Sequence, residues 1–255
     1  MQLSLAVSFV AAALAAAAAA APAGPGAESL RFESCKLDRA TLPVRPTPTR
    51  TRARPPRAAP PANARAAAFP APSKPTPLRV VLGFGTQNYT CADATAGTAP
   101  AAFGAKAALY DVSCLAARFP AVLATVPPTV YDVGTTSPAI LAAVFARLGA
   151  SAGLQVGVHY FNAALKPVFQ FADGGRVVAA RTDGVPAPAG ARQGANGAVD
   201  WLRLAAIDGS VGPVGEVFRV VTQGGKAPPT CAGQPRVFAV KYAAEYCECL
   251  GAGCV

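Results

Sequence analysis

His159, in the string GVHYFN, is the only histidine among 255 residues. One imidazole suffices for a general base, but a single histidine excludes any multi-histidine metal site. Among aromatic neighbours the favoured reading is a buried polar link, the ring donating from one nitrogen and accepting at the other; catalysis by His159 stays a weak alternative. Asp111, Asp132, Asp173, Asp183, Asp200, Asp208 and Glu216 offer carboxylates that, in pairs, would suit glycoside hydrolysis. Several abut glycine, where aspartate is first of all a turn former. Gly149-Ala150-Ser151-Ala152-Gly153 has the letters of a nucleophile elbow. It follows a helical pattern and precedes a strand pattern, the reverse of what that turn requires, and no carboxylate lies between Ser151 and His159. Gly83-Phe84-Gly85 begins a dinucleotide fingerprint, but the third glycine position holds Asn88 and a strand-like Tyr-Thr-Cys follows. No cofactor and no metal is expected.

Seven cysteines fit an oxidising compartment. Cys35, Cys91, Cys114 and Cys231 are spread along the chain and allow three connectivities. Cys247, Cys249 and Cys254 crowd the C-terminus with a spacing that matches no common zinc module, and the odd total leaves at least one thiol free or paired to another molecule. Asn88-Tyr89-Thr90 is an N-glycosylation sequon, which makes a glycoprotein one expectation. Trp201, the only tryptophan, suits a core anchor, with sugar stacking as the functional alternative; Tyr89 is a second candidate for ligand contact.

These residues must be held by elements that the rest of the chain supplies. Residues 1–23 are nearly all apolar, uncharged, and end in small residues suited to cleavage after Ala21 or Ala23. They read as a secretory signal peptide, so the mature chain is expected to be secreted, extracellular or at the cell surface, without a transmembrane anchor. Residues 24–42 form an N-terminal segment around Cys35. Residues 43–77 hold eleven prolines, seven basic residues and no acid, which accounts for most of the net charge of +10. Proline fixes φ and removes a donor, so this stretch reads as an extended, disordered linker. It is basic enough to meet a cell-surface polyanion, but no aromatic lies among its arginines to stack on bases, and specific nucleic-acid binding is not expected.

From residue 78 to 246 the texture is apolar runs bounded by glycine turns. LRVVLGF, FGAKAALYD, LQVGVHYFN, KPVFQF, GRVVAART, VDWLRLAA, GEVFRVVT and RVFAVKYAAEY read as strands. A helix is expected from Ser137 to Leu148, capped by Gly149, and a shorter one within 112–130, ending before Pro127-Pro128. Strands that do not alternate with helices exclude a doubly wound sheet. The class is mainly β: an antiparallel sandwich or barrel-like domain with one or two short helices, followed by a cysteine-rich tail at 247–255.

GTQNYTC (85–91), LYDVSCL (109–115), HYF (159–161), VPAP (185–188), VDWLRL (199–204), FRVVTQGGKAPPTC (218–231) and VKYAAEY (240–246), with SCKLDRATLP (34–43), together resemble a family of secreted fungal and bacterial proteins known only as a domain of unknown function. Members often carry an inherited malate dehydrogenase label, which the residues here do not support. The chain departs from the family in its Pro/Arg segment and in its CECLGAGCV ending. The resemblance singles out Cys35, Cys91, Cys114 and Cys231 as the shared set, and with it we expect Cys91–Cys114 and Cys35–Cys231 pairs. The functional expectation is a non-catalytic extracellular protein that binds carbohydrate or another surface component. The alternatives are a hydrolase or lyase acting on polysaccharide through His159 and, from the label alone, malate oxidation.

Overall fold

Each apolar run becomes a strand because its side chains alternate between two dry surfaces. The structure is a computed structural model; it describes Leu37, Ala40 and residues 77–95, 97–133 and 155–250, all within one compact unit, Ser34–Val255. The strands are β1 (Pro77–Thr90), β2 (Ala101–Asp111), β3 (Gln155–Phe161), β4 (Pro167–Phe171), β5 (Arg176–Val185), β6 (Trp201–Ala206), β7 (Val214–Gly224) and β8 (Val237–Leu250). All neighbours are antiparallel and follow chain order, and β8 returns to β1 to close a barrel. Of the two architectures left open by the sequence, sandwich and barrel, the molecule adopts the barrel. Its seam is long: β1 and β8 pair from Pro77↔Cys249 to Thr90↔Val237. A closed sheet has no edge strand to protect.

Three short helices, α1 (Ser113–Arg118), α2 (Pro120–Leu123) and α3 (Val126–Val133), lie between β2 and β3. Leu115, Leu123, Val126 and Val130 pack with Val80, Leu82, Phe84, Phe218 and Val220. A closed barrel accepts helices only on its outside, so this cluster is the outer face. The alternate residues Val81, Leu109, Phe169, Val177, Leu204 and Val217 form a second cluster drawn from six strands, and they fill the inside. Gly83 lies on that inner face opposite Ala244. A β-carbon there would sit 2.5 Å from Cε2 of Tyr246, so glycine is what lets this ring lie flat across the strand.

The structure corrects the sequence reading at three places. Cys91 pairs with Cys231, not with Cys114. Cys91 follows β1 and Cys114 follows β2, at opposite ends of an antiparallel hairpin about 35 Å long at ~3.3 Å per residue, out of reach of a disulfide. Cys114 is also disulfide-bonded. The short helical stretch expected before Pro127-Pro128 is there as α1 and α2, but the prolines do not end the helical region: both lie in the first turn of a further helix, α3, where their missing N–H groups cost nothing. β8 runs four residues past Tyr246, so Cys247 and Cys249 belong to the barrel wall, held by pairing with the start of β1 and with β7. The helix expected at 137–148, the leader, the Pro/Arg segment, Cys35, Ser151 and Cys254 lie outside the described residues. Among the described residues no helix is long and apolar enough to cross a membrane.

The Cys91–Cys231 bridge spans 140 residues and ties the end of β1 to the β7–β8 loop. In the chain-entropy model such a loop stabilises by about 5 kcal/mol. Replacing both cysteines with serine is expected to lower the urea midpoint while leaving the strand signature in circular dichroism unchanged. Non-reducing peptide mapping of the parent protein should recover Cys91 linked to Cys231; recovery of Cys91 linked to Cys114 would contradict the structure.

Candidate functional site

Polar side chains on the inner face are the unusual feature of this barrel. Arg219 lies opposite Tyr246 and Leu202, His159 opposite Ala107 and Phe169, and Tyr242 opposite Gly85. Gln87 alternates with Val81, Gly83 and Gly85 along the same face of β1. The hydroxyls of Tyr242 and Tyr246 are 2.9 Å apart. Burial pushes both phenols up; the positive charge of the Arg219 guanidinium beside them pulls both back in part. Arg219 also donates from Nε and Nη2 to the carbonyl of Asp200, at 3.2 and 2.9 Å. Gln87 Nε2 approaches the Tyr242 hydroxyl without reaching hydrogen-bonding geometry and is buried without a partner.

His159 is 3% exposed and stacks on Phe169 with ring centres 4.4 Å apart. Its Nδ1 is 2.9 Å from the carbonyl of Val168. A carbonyl only accepts, so the proton sits on Nδ1 and Nε2 is left as an acceptor. Burial, aided by the positive charge of Arg219, lowers the imidazole to about 4, and the ring is neutral at physiological pH. Among the described residues no carboxylate contacts it. The buried polar link expected from the sequence is what His159 is.

Arg219 is not the only arginine on this face. β5 places Arg181 opposite Leu204 and Gly184 opposite Leu202. A β-carbon at Gly184 would lie 2.7 Å from Nη2 of Arg181 and 2.8 Å from Cδ2 of Leu202, so the Arg181 head crosses the glycine and reaches the leucine that faces Arg219. This is the end at which β1, β3, β5 and β7 finish. Arg219 is half-buried and Arg181 exposed, so the group is reached from solvent. Nearby, Val221 has φ +50°, a costly conformation for a β-branched residue, at the bulge where β7 shifts register on β8. Thr222 holds that bulge by donating to the carbonyl of Val199 at 2.5 Å.

The opposite end carries charge of the other sign, neutralised differently. Glu248 is 1% exposed, with Nε of Arg79 at 3.7 Å. Arg79 is shared: Asp173 accepts from its Nη2 at 2.6 Å and its guanidinium lies 4.1 Å over the Phe171 ring. Burial therefore outweighs attraction, and the Glu248 carboxyl rises to about 8. On the outer face, burial lifts Glu245 to about 7, with Sγ of Cys247 donating to its Oε1 at 3.4 Å. Cys247 and Cys249 are free thiols; burial raises Cys247 strongly and Cys249 to about 12, so neither forms a thiolate at neutral pH.

The residues singled out in the sequence do not converge. Trp201 is 4% exposed and belongs to the outer cluster under the helices, the position of a core anchor. Tyr89 is buried, stacks on Phe238 with ring centres 5.5 Å apart, and donates to the carbonyl of Gly225 at 2.7 Å. Neither touches His159. Asn88 lies within β1, paired on both sides, with Oδ1 accepting from Thr86, and the sequon hydroxyl of Thr90 is bound to the carbonyl of Arg236. The aspartates serve locally: Asp173 caps a turn, Asp183 accepts from the Gly184 N–H at an irregularity within β5, Asp132 pairs with Arg192, and Asp200 with Lys226. Gly83 and Gly85 sit in mid-strand with no helix opening beyond them. Among the described residues no group of three or more metal-ligating side chains exists. Sequence reasoning missed Arg181 and Arg219. The signal for Arg219 was present: it alternates with Val217 and Val221, a charge on an apolar stripe.

Fold and site together define a closed eight-stranded antiparallel barrel with paired arginines at one open end. The chain belongs to the family described as "Protein of unknown function (DUF3455)", whose model matches residues 72–247. No curated protein and no solved structure matches it.

Glu248 and Glu245 hold protons in the folded chain that the unfolded chain releases near 4.5, so stability falls as pH rises from there through about 7 and 8. His159 acts oppositely, costing stability as pH falls from 6.5 to about 4. Glu248→Gln is expected to match the parent only below about pH 4.5, to lose less stability from there upward by roughly 1.4 kcal/mol per unit for one proton, and to remove most of the loss that remains between pH 7 and 8. Denaturant titrations at stepped pH check this; an unchanged slope in the variant would contradict it.

Proposed function

We propose that this chain is a non-catalytic binding protein that works outside the cell, and that its ligand site is the arginine-bearing end of the barrel. The observation that carries the reading is His159. The one imidazole of the chain is buried and neutral, with Nδ1 committed to a backbone carbonyl and, among the described residues, no carboxylate in contact to orient it. The thiols that could act as nucleophiles are buried with raised pKa values. What faces solvent from the inner wall is instead a set of donors suited to holding a molecule without changing it. The apolar leader and the disulfides support export.

Two measurements test the reading. Expression in a secreting host should release protein whose N-terminus begins after Ala21 or Ala23. Thermal melting of that protein against a panel of small metabolites and short glycans should give saturable stabilisation by at least one compound, recovered chemically unchanged. Turnover of any panel compound that is lost in His159→Gln would overturn the proposal in favour of an enzyme.

A further inference from the structure

We infer that the open end of the barrel bearing Arg181 and Arg219 is a binding site for a small organic anion, a carboxylate carried on an apolar body. The inference rests on the binding reading above and names the ligand class. β5, β6 and β7 are successive strands, and their inner face presents Arg181, Leu202 and Arg219 side by side. Among the described residues neither guanidinium lies within 4.0 Å of a carboxylate. The acids placed around them have other partners: Asp183 accepts from the backbone N–H of Gly184 at 2.7 Å, Asp200 faces Lys226 at 3.9 Å, and Glu248, two positions along β8 from Tyr246, faces Arg79 at 3.7 Å. Arg219 is half-buried on neutral partners alone, a carbonyl and a phenol. A cation drawn from water without a counter-charge is costly, and its fork has more N–H donors than these bonds use.

A second observation points the same way. Gln87 Nε2 is a buried amide donor without a partner, its residue 8% exposed, on the same inner face. It is linked to the arginine through the two phenols, since the Tyr242 and Tyr246 hydroxyls are 2.9 Å apart and Tyr246 lies directly opposite Arg219 across the β7–β8 pairing. Donors in excess, with no acidic acceptor in contact, call for an anion; guanidinium geometry favours a planar carboxylate. The walls set the rest of the ligand. Leu202 and Phe161 pack on the inner cluster beside the polar group, and an eight-stranded barrel has room for no more than one small molecule. The neutral His159 adds no further charge.

The test uses the full mature chain, with benzoate as the probe, benzamide as its neutral counterpart and inorganic phosphate as an anion without an apolar body, by titration calorimetry at pH 6.5 and low salt. Benzoate is expected to bind at least tenfold more tightly than either control. Arg181→Gln removes an exposed head and should weaken benzoate about tenfold without changing the melting temperature. Arg219→Lys keeps the charge and should weaken it by a similar factor, since a point charge replaces a fork. Equal binding of benzamide and benzoate overturns the anion assignment while the binding reading stands, and equal binding of phosphate overturns the apolar body. Unchanged benzoate affinity in both variants overturns the site. No binding of any of the three overturns this inference, and silence across the wider metabolite and glycan panel overturns the reading beneath it as well.

Discussion

The β1–β8 seam is the constraint on which everything else in this molecule rests. Two fourteen-residue strands, the first and last of the barrel, must find each other across most of the chain. Until they pair, Val81 and Tyr246 have no inside to face and Leu82 and Ala243 no continuous wall for the helices. Once paired, one alternation sorts both strands into an aromatic interior and a helix-covered exterior. The disulfide after β1 ties down the loop that leads into β8, so it shortens the search that the seam requires.

Inside the closed wall, burial decides the charge state of every polar group. The acid at one end takes up a proton and the imidazole gives one up, both because a charge there would lack water. Arginine has no such escape. Arg219 stays charged, half-buried, with a backbone carbonyl and a neighbouring phenol around it and no carboxylate within 4.0 Å among the described residues. Arg79 at the other end shows the alternative, with Asp173, Glu248 and the Phe171 ring around it. The contrast between the two ends, one arginine set among carboxylates and one not, is the observation on which the proposed anion site rests.

Much of the fold was legible in the residues. Period-two apolar runs between Asp-Gly and Gly-Gly turns marked all eight strands, because a strand that is dry on one or both faces must spell that out locally. Barrel closure was not legible, since sandwich and barrel use the same alternation and differ only in which distant strands pair. The same limit governed the disulfide: the expectation that went with the resemblance paired Cys91 with Cys114, whereas antiparallel pairing puts Cys114 at the far end of the hairpin. Pro127 and Pro128 read as a stop because proline is both terminator and starter, and only the turn before α3 decides which. At the site, His159 was read correctly as a buried link. Arg219 was visible as an anomaly on a valine stripe, but its meaning depended on closure, which turns one face of β7 into an interior. Arg181 gave no local sign, since its role comes from lying across Gly184.

The most direct test of this account is a nuclear Overhauser measurement across the seam in the folded protein. We predict backbone contacts between Val81 and Tyr246, between Gly83 and Ala244 and between Gly85 and Tyr242, all in one antiparallel register. Contacts along β1–β2 and β7–β8 with none between β1 and β8 would describe an open sheet, and an interior arginine site would not exist.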